Sequence, residues 1–598
     1  MTPPDNAERL SALRREISAA GFDGFIVPRT DEYLGEYLPP CAERVAFLSG
    51  FTGSAATIVV LKDKAALFTD GRYTLQVAQQ VSRAAYSLFD TTEKTPLSWL
   101  GENIESGAKI AYDPWLHSVE SVERLKSALA KIGAEAIPVT QNLVDKIWET
   151  RPAPPAAPIA VHNLTYAGKS STEKRRDLAG FLKEKNLAAA IIAEPSSVAW
   201  LLNVRGGDVA YTPLPLSRAI LKDDGSVQWF VASEKINAAL SAHIDAGVSI
   251  LSPDRLPEAL KDLARLGKTI LIDPAQTPSW IAEYLSAAQG KVERGEDPCA
   301  LPRAIKNAVE LDGMREAHRR DGAALTSFLA WLDTHWEKEL ITELDAARKM
   351  ETFRAANVHY RGESFETISA TGGHGAIVHY AATEEANAPL STGHFYLLDS
   401  GAQYLDGTTD VTRTVVLGAP SAEMRENFTR VLKGHIALAS IRFPEGTTGA
   451  DLEVLARQYL WMAGRDYSHG TGHGVGCYLG VHEGPVGISR RNKTPLRPGM
   501  VLSNEPGYYR EGRYGIRIES LFTVVEIVGA SEGGGRTFGF DALTLAPLDL
   551  RAIDVAMLTE AECSWLNAYH RRVQKILHPI VDSATALWLE SATGSIEK

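Results

Sequence analysis

The stretch LLDSGAQYLDGTTDVTRT (residues 397–414) decides the fold predicted for the second half of the chain. It contains two β-like runs, and the Asp-Gly pair at 406–407 predicts a turn between them. Folded as a hairpin, the runs can bring Asp399 and Asp410 close together on one face. A carboxylate taken out of water needs a positive or polar partner. The interpretations open at this point are a metal site, a turn cap, or an ion pair with a neighbour such as Arg413.

A glycine-rich segment, SHGTGHGVGCYLGVHEGP (468–485), carries three histidines, His469, His473 and His482. The His-x-x-x-His spacing is shared with helical zinc proteases, but no glutamate follows the first histidine and the glycines disfavour a helix. A lone histidine is more often a hydrogen-bonded core residue than a ligand. Three so close together make a functional role about as reasonable an interpretation as packing.

Two glutamates follow in VLSNEPGYYREGRYGIRIESLFTVV (501–525). Glu505 ends an apolar run before a Pro-Gly pair, which places it at the exit of a strand. Glu519 stands inside an alternating strand pattern, where period-two geometry puts it on the same face as Arg517. A buried glutamate on a strand is uncommon without a cation, so both glutamates are candidate metal ligands.

The candidates together form a set of four carboxylates and one imidazole: Asp399, Asp410, His473, Glu505 and Glu519. Two divalent cations would balance the four negative charges and would bring the pKa of a bound water near neutrality. Oxygen-rich ligation with one imidazole favours Mn²⁺ over metals that prefer thiolates, and Zn²⁺ and Co²⁺ stay open as alternatives.

Two breaks divide the chain: RPAPPAAPIA (151–160), with four prolines, and RGEDPCALPRA (294–304). Prolines stiffen the backbone and remove amide donors, which is typical of linkers. The resulting prediction is three domains, at 1–155, 156–307 and 308–598.

The first two domains share one pattern. Each opens with a helical periodicity, at 7–21 and 172–187, followed by an apolar strand and hairpin strands. Glu173 is placed to complete the N-terminal cap of the second helix. Leu-Lys-Asp occurs at matching positions, 61–63 and 221–223. We interpret these domains as a duplicated α/β unit, with two unrelated α/β domains as the alternative.

The third domain is predicted to be α+β, with antiparallel hairpins and helices on one face. Apolar residues recur at helical spacing in four segments, 306–333, 341–356, 424–441 and 451–464. The intervening sequence is rich in glycine and strand formers.

Bulk properties exclude several classes of protein. The chain has 598 residues, 44% of them hydrophobic, and a formal net charge of −12, which disfavours a nucleic-acid or anionic-membrane partner. Four scattered cysteines form no paired spacing and suit a reducing compartment. The N-terminus lacks an apolar signal region, and no run reaches the length of a membrane span. We expect a soluble, cytoplasmic protein.

The order Asp-x₁₀-Asp, His, Glu, Glu on an α+β hairpin domain resembles the "pita-bread" metallopeptidases. Longer strings are similar to the large three-domain Xaa-Pro aminopeptidases (aminopeptidase P). These are the stretches already quoted at 397–414, 468–485 and 504–520, together with VLKGHIALA (431–439), TDGRYTLQVAQQV (69–81), FLSGFTGSA (47–55) and LTEAECSWLNAYH (558–570). The resemblance covers essentially the whole chain. It implies two creatinase-type N-terminal domains, a C-terminal pita-bread catalytic domain and a homodimer that acts on peptides with proline in the second position.

The resemblance also implies a role for each metal ligand. Asp399 would bind one metal ion, and Asp410 and Glu519 would bridge both. His473 and Glu505 would complete the coordination of the second ion. Glu505 would also move a proton from water to the leaving nitrogen.

The remaining matched residues would act on the substrate or on the ligands. His379 and His482 would hold the peptide carbonyl and stabilise the developing gem-diolate. His469 would line the proline-side pocket or support the ligands. Arg517 would orient a ligand carboxylate, Asp399 being the expected one.

Three rival functions remain at this stage. A prolidase would cleave X-Pro dipeptides and would need a basic group for the terminal carboxylate. Creatinase-like hydrolases share the fold but lack the ligands. A non-catalytic pita-bread binding module would show eroded ligands and long acidic tails.

Overall fold

The structure, a computed structural model, describes residues 6–529 and 535–598. The chain forms two compact units. One comprises Met1–Leu164 and Lys169–Ala300, and the other comprises Thr165–Gly168 and Leu301–Lys598. No helix within the described ranges is both long and apolar enough to cross a membrane.

The first unit is built on two six-stranded sheets. The strands up to residue 294 are β1 (Gly24–Pro28), β2 (Thr57–Leu61), β3 (Ala65–Thr69), β4 (Ser87–Asp90), β5 (Lys109–Tyr112), β6 (Glu135–Pro138), β7 (Ala160–Val161), β8 (Leu187–Ile192), β9 (Val204–Arg205), β10 (Arg218–Lys222), β11 (Val227–Phe230), β12 (Val248–Leu251), β13 (Thr269–Ile272) and β14 (Lys291–Arg294). β7 and β9 form a separate antiparallel pair.

The two sheets have the same topology. Their strand orders are β4-β3-β2-β1-β5-β6 and β12-β11-β10-β8-β13-β14. In each sheet the first three strands along the chain pair antiparallel, and all other neighbours pair parallel. Leu61 and Leu221 both lie at the end of the second strand of their sheet. The predicted duplication is confirmed.

Helices flank both sheets. Those up to residue 304 are α1 (Asn6–Ala19), α2 (Arg44–Ser49), α3 (Thr74–Gln80), α4 (Pro96–Asn103), α5 (Val119–Ala130), α6 (Leu143–Ile147), α7 (Leu164–Ala167), α8 (Ser171–Glu184), α9 (Pro195–Leu202), α10 (Ala238–His243), α11 (Leu256–Arg265), α12 (Ser279–Ala287) and α13 (Ala300–Ala304). α8 starts at the predicted cap, since Ser170 and Glu173 exchange side-chain to backbone hydrogen bonds as a capping box.

The second unit contains six further helices: α14 (Ala308–His335), α15 (Glu343–Ala355), α16 (Ala422–Ser440), α17 (Gly449–Trp461), α18 (Glu560–Leu577) and α19 (Ser583–Ala592). The four helices predicted from periodicity are α14 to α17, with boundaries shifted by a few residues. The long α14 begins at a capping box formed by Asn307 and Glu310.

The strands of the second unit are short. They are β15 (Tyr360–Glu363), β16 (Ile368–Thr371), β17 (His394–Ser400), β18 (Ala402–Tyr404), β19 (Gly407–Thr408), β20 (Val411–Leu417), β21 (Phe443–Pro444), β22 (Gly472–His473), β23 (Gly487–Ile488), β24 (Val501–Asn504), β25 (Gly507–Arg510), β26 (Tyr514–Arg517), β27 (Ser520–Glu526) and β28 (Thr537–Ala542). They form sheets in the orders β15-β18-β19, β16-β17-β20, β21-β28-β27-β24, β22-β23 and β25-β26.

One apolar core joins the strands that end at the site described below. Phe428 of α16 packs in a buried cluster with Phe395 of β17, Val416 of β20, Ile516 of β26 and Phe522 of β27. Burying one such side chain contributes about 1.5–3 kcal/mol. The core therefore fixes the relative positions of four strands whose polar ends meet.

The hairpin predicted at 397–414 forms, but it is divided between two sheets. β17 pairs with β20, placing Asp399 opposite Thr412, whereas β18 and β19 close the turn in another sheet. The break falls at Gly401, where an added Cβ would lie 2.1 Å from the Thr409 carbonyl oxygen. Only glycine fits at this crossing, which directs the chain away from the first sheet.

The prediction of a continuous strand through Glu519 is wrong. β26 ends at Arg517 and β27 begins at Ser520, so Glu519 lies in the step between a two-stranded and a four-stranded sheet. Its backbone N–H donates to the Thr412 carbonyl, 3.2 Å away. Alternation of apolar residues persists across this step, which is why the sequence pattern hides it.

Candidate metal centre

The five predicted ligands all occur at or beside strand ends in the second unit. Asp399 is in β17, Asp410 precedes β20, His473 ends β22, Glu505 follows β24, and Glu519 lies between β26 and β27. The absence of a helix around His473 agrees with the sequence analysis. Strand ends from separate sheets thus bring distant residues into one place.

Three of the residues form a compact ligand set. Asp410, His473 and Glu519 each offer one ligand atom, and these atoms all lie within 4.8 Å of one another. His473 Nε2 is 3.4 Å from Asp410 Oδ2 and 3.5 Å from Glu505 Oε1. Glu505 therefore belongs to the same cluster.

Hydrogen bonds fix the direction of the ligand side chains. His473 Nδ1 lies 2.9 Å from the Gly474 carbonyl, so this nitrogen donates and Nε2 faces the carboxylates. Thr412 donates to Glu519 Oε2 at 2.8 Å, and Ser503 donates to Glu505 Oε1 at 3.3 Å. Each carboxylate keeps oxygen lone pairs for another partner.

Asp399 joins the cluster through Arg517. Arg517 Nη2 donates to Asp399 Oδ2 at 2.6 Å. The other oxygen, Oδ1, is buried and has no hydrogen-bond partner among the described residues. An orphaned carboxylate oxygen beside further carboxylates is the environment that a divalent cation satisfies.

The electrostatics of the cluster also fit bound cations. Burial, followed by the charges of Asp410, Glu505 and Asp399, raises the pKa of Glu519 well above its ordinary value. Burial also raises the pKa of Asp399 and Glu505, with Asp410 adding to both shifts. Like charges in a buried site disfavour ionisation unless a cation compensates them. The donor set therefore fits two divalent ions.

The same negative charges that disfavour ionisation of the carboxyl groups favour the charged form of His473. Burial by itself would lower its pKa, but the hydrogen bond to Asp410 and the charges of Glu505 and Asp410 together raise the pKa to about 9. A cation at this site would replace that proton, since a ligating imidazole must be neutral.

A hydrogen-bonded chain leads from Asp399 to His469. Arg517 Nη1 donates to the Tyr509 hydroxyl at 2.7 Å, and that hydroxyl lies 2.8 Å from His469 Nε2. His469 Nδ1 is 4.0 Å from Glu505 Oε2. Tyr509 was missed by the sequence analysis. Its signal was the tyrosine pair that follows Glu505 in NEPGYY, on a strand leading back to the cluster.

His482 and His379 both lie in loops, and His482 contacts the cluster. The His482 ring meets the His473 ring edge to face, with centroids 4.4 Å apart. His379 is half-buried just after the short segment Gly372–Ala376, which packs against β26. An added Cβ on Gly515 of β26 would lie 1.6 Å from the Gly375 carbonyl oxygen, so two glycines permit this contact.

The alternative partner considered for the aspartates, Arg413, points elsewhere. Its guanidinium donates to the carbonyls of Thr412, Glu519, Ala546 and Pro547 and to a tyrosine hydroxyl. Arg413 therefore links the backbone at Thr412 to the backbone at Glu519, Ala546 and Pro547.

Known families match four segments of the chain. Metallopeptidase family M24 matches residues 312–526, and the C-terminal region of peptidase M24 matches 536–596. Two creatinase/prolidase N-terminal domains match 9–147 and 150–310.

Similar proteins extend over the full chain. Aminopeptidase P2 of Arabidopsis thaliana is 39% identical over 99% of this chain and 89% of its own. A probable Xaa-Pro aminopeptidase P of Aspergillus niger is 40% identical over 100% of both chains. Among solved structures, the X-prolyl aminopeptidase of Caenorhabditis elegans, described as a cytosolic enzyme with a di-nuclear active site, superposes with a TM-score of 0.95. It is 34% identical, with 99% of this chain and 100% of that chain covered.

Proposed function

The chain belongs to metallopeptidase family M24, and we propose that it is an Xaa-Pro aminopeptidase. It hydrolyses the first peptide bond of substrates with proline in the second position. The observation that carries this proposal is the likeness to an X-prolyl aminopeptidase along the whole chain, at a TM-score of 0.95. The convergence of the ligand set in the second unit supports the same reaction.

We assign the two divalent cations to the five converging residues. Asp399 would hold one ion, Asp410 and Glu519 would contribute to both, and His473 and Glu505 would complete the other. The orphaned Oδ1 of Asp399 and the raised carboxyl pKa values support this assignment. The chemistry that bound cations supply is Lewis-acid activation of water and of the scissile carbonyl.

Proton transfer is assigned to Glu505. Its carboxylate lies beside His473 in the cluster and is half-buried, which leaves it accessible to a water and a bound peptide. The leaving proline nitrogen carries no hydrogen and must be protonated to depart as an amine. Glu505 accepts the proton of water and delivers it to that nitrogen.

The substrate contacts are assigned to three histidines. His379 and His482 donate hydrogen bonds to the peptide carbonyl as negative charge develops on its oxygen. His469 lines the side of the proline ring, where the Tyr509 hydroxyl holds its Nε2. Arg517 orients Asp399 and favours its ionised form.

Three finer properties are part of this proposal. Mn²⁺ is the proposed ion, because four carboxylates and one imidazole suit it. We also propose a homodimer in the cytoplasm, the dimer being what the family resemblance implies, and a division into domains at 1–155, 156–307 and 308–598.

The test compares two substrates. The account predicts release of the first residue from an X-Pro-Pro peptide, with loss of activity on chelation and recovery on adding Mn²⁺. Cleavage of X-Pro dipeptides in preference to X-Pro-Pro peptides would contradict it and would identify a prolidase.

A further inference from the structure

Glu483 is buried with two cations directly after His482 in the chain. Its Oε1 pairs with Lys306 Nζ, and its Oε2 lies 3.3 Å from Arg303 Nε. The three side chains are each at most 2% exposed. None of them has a part in the function proposed above.

The backbone of Glu483 is joined to a ligand residue. The Glu483 N–H donates to the Gly474 carbonyl at 2.8 Å, and His473 Nδ1 donates to the same oxygen at 2.9 Å. One carbonyl thus connects the orientation of His473 to the position of Glu483. His482 directly precedes Glu483 and its ring contacts His473, so a displacement of Glu483 would reach both histidines.

Arg303 and Lys306 belong to a segment whose backbone pairs with the residues just before β24. The Lys306 N–H donates to the Gly499 carbonyl at 2.9 Å, and Ile305 bridges to Met500. These residues lead into β24, which ends one residue before Glu505. Lys306 Nζ is further held by the Arg303 carbonyl at 2.8 Å.

Stability alone does not favour this arrangement. Removing charges from water costs several kcal/mol per ion, and apolar side chains of similar volume often stabilise a protein as well or better. What ionic pairing adds is direction, because Lys306 holds Oε1 of Glu483 and Arg303 lies beside Oε2, while the Glu483 backbone holds Gly474. The ion pairs therefore fix the position of the loop that contains His482.

We propose that Lys306, Arg303 and Glu483 form a positioning triad that sets His482 beside His473. The triad acts through His482, so it stabilises the transition state without contacting the substrate. This inference rests on the proposed function for its kinetic consequence, but the positioning itself does not.

The kinetic test is a double-mutant cycle between Lys306→Met and His482→Ala. Lys306→Met leaves Arg303 to neutralise Glu483, so the chain is expected to fold. In the wild-type background we expect kcat for an X-Pro-Pro peptide to fall by about tenfold or more, with KM changed by less than about twofold. In the His482→Ala background, Lys306→Met should change kcat by less than about twofold.

A matched control comes from Lys433, which forms a buried pair with Glu562 in the same unit. Lys433→Met should cost similar stability and leave kcat and KM unchanged. If Lys306→Met costs the same factor with and without His482, or if Lys433→Met lowers kcat equally, the triad is only structural and the proposal is overturned.

Hydrogen exchange provides a readout that does not depend on activity. In Lys306→Met and in Glu483→Gln, amides of residues 474–486 should exchange at least about tenfold faster, whereas those of 501–504 should not change. Unchanged exchange in both variants overturns the positioning role. An inactive wild-type protein would instead contradict the proposed function, and the exchange measurement would still decide the role of the triad.

Discussion

Arg517 and Asp399, which are 118 residues apart in the chain, are joined by a 2.6 Å hydrogen bond in which Nη2 donates to Oδ2. The second terminal nitrogen of the same guanidinium donates to Tyr509. Arg517 therefore connects a carboxylate of the metal centre to the side of the site assigned to proline.

Replacing Arg517 by lysine should remove the simultaneous hydrogen bonds to Asp399 and Tyr509. A single ammonium nitrogen cannot reproduce the fixed fork of a guanidinium. We expect Arg517→Lys to lower metal affinity or kcat/KM by about 10–100-fold, as measured by metal titration and steady-state kinetics. Arg513, exposed on the same hairpin, supplies the control, because Arg513→Lys should change neither quantity. Unaltered metal affinity and activity in Arg517→Lys would show that the bond to Asp399 has no functional role.

Tyr509 is expected to matter through its hydroxyl. Tyr509→Phe keeps the ring but removes the group between Arg517 and His469. We expect kcat/KM for X-Pro-Pro peptides to fall by about tenfold, mainly through KM if His469 contacts the proline side. Tyr508→Phe, on the adjacent position of β25, is the matched control and should behave as wild type. Equal effects of the two variants would rule out a specific role for Tyr509.

Glu519 should destabilise the metal-free protein at neutral pH. Burial and the neighbouring carboxylates raise its pKa well above the ordinary value. A carboxyl whose pKa is higher in the folded state loses stability as pH rises from the unfolded pKa through the folded one, at about 1.4 kcal/mol per unit of difference. Metal-free Glu519→Gln should therefore melt above metal-free wild type near pH 7.5.

Calorimetry in chelator checks this expectation. The difference between Glu519→Gln and wild type should shrink as pH falls, and it should reverse in excess divalent metal, since only the wild type gains full binding energy. Exposed Glu511→Gln should show no difference at any pH. If Glu519→Gln melts below wild type in chelator, the claim that the buried Glu519 carboxylate destabilises the metal-free protein is contradicted.

His570 should make the second unit sensitive to acid. Burial, with a smaller effect of Arg413, lowers its pKa to about 4, and its Nε2 accepts from the Leu548 N–H. Above pH 6.5 both folded and unfolded forms are neutral. Between pH 6.5 and 4 only the unfolded state takes up the proton, so stability falls by an amount on the order of 3 kcal/mol.

A histidine-to-glutamine comparison isolates this effect. Chemical unfolding of His570→Gln should show a flatter pH dependence between 6.5 and 4 than wild type. His578, exposed and paired with Glu590, serves as control. If His570→Gln keeps the wild-type slope, His570 is not the group that titrates.

The sequence predicted the identity of the clustered residues better than their local structure. Asp399, Asp410 and Glu505 lie at strand ends as expected, because buried carboxylates that interrupt apolar runs need special partners. The continuous strand through Glu519 was wrong, since alternation does not reveal a change of sheet. The duplicated topology was predictable because each repeat carries its own helix and hairpin patterns.

Residues that act through tertiary contacts were not accessible from the sequence. Lys306 and Glu483 are 177 residues apart, and neither stands in a sequence pattern that predicts an ion pair. Tyr509 stands in the NEPGYY motif, but only its contacts with Arg517 and His469 in three dimensions give its hydroxyl a role. Contacts of this kind depend on how the sheets meet, which periodicity does not encode.

The most direct test of the central claim is a metal titration of the chelated protein, followed by cleavage of an X-Pro-Pro peptide. The account predicts that chelation abolishes cleavage, that two equivalents of divalent ion per chain restore it, and that Glu519→Gln fails to recover. Full activity of the chelated protein, or recovery of Glu519→Gln to the wild-type rate, would contradict a metal centre built from these five residues.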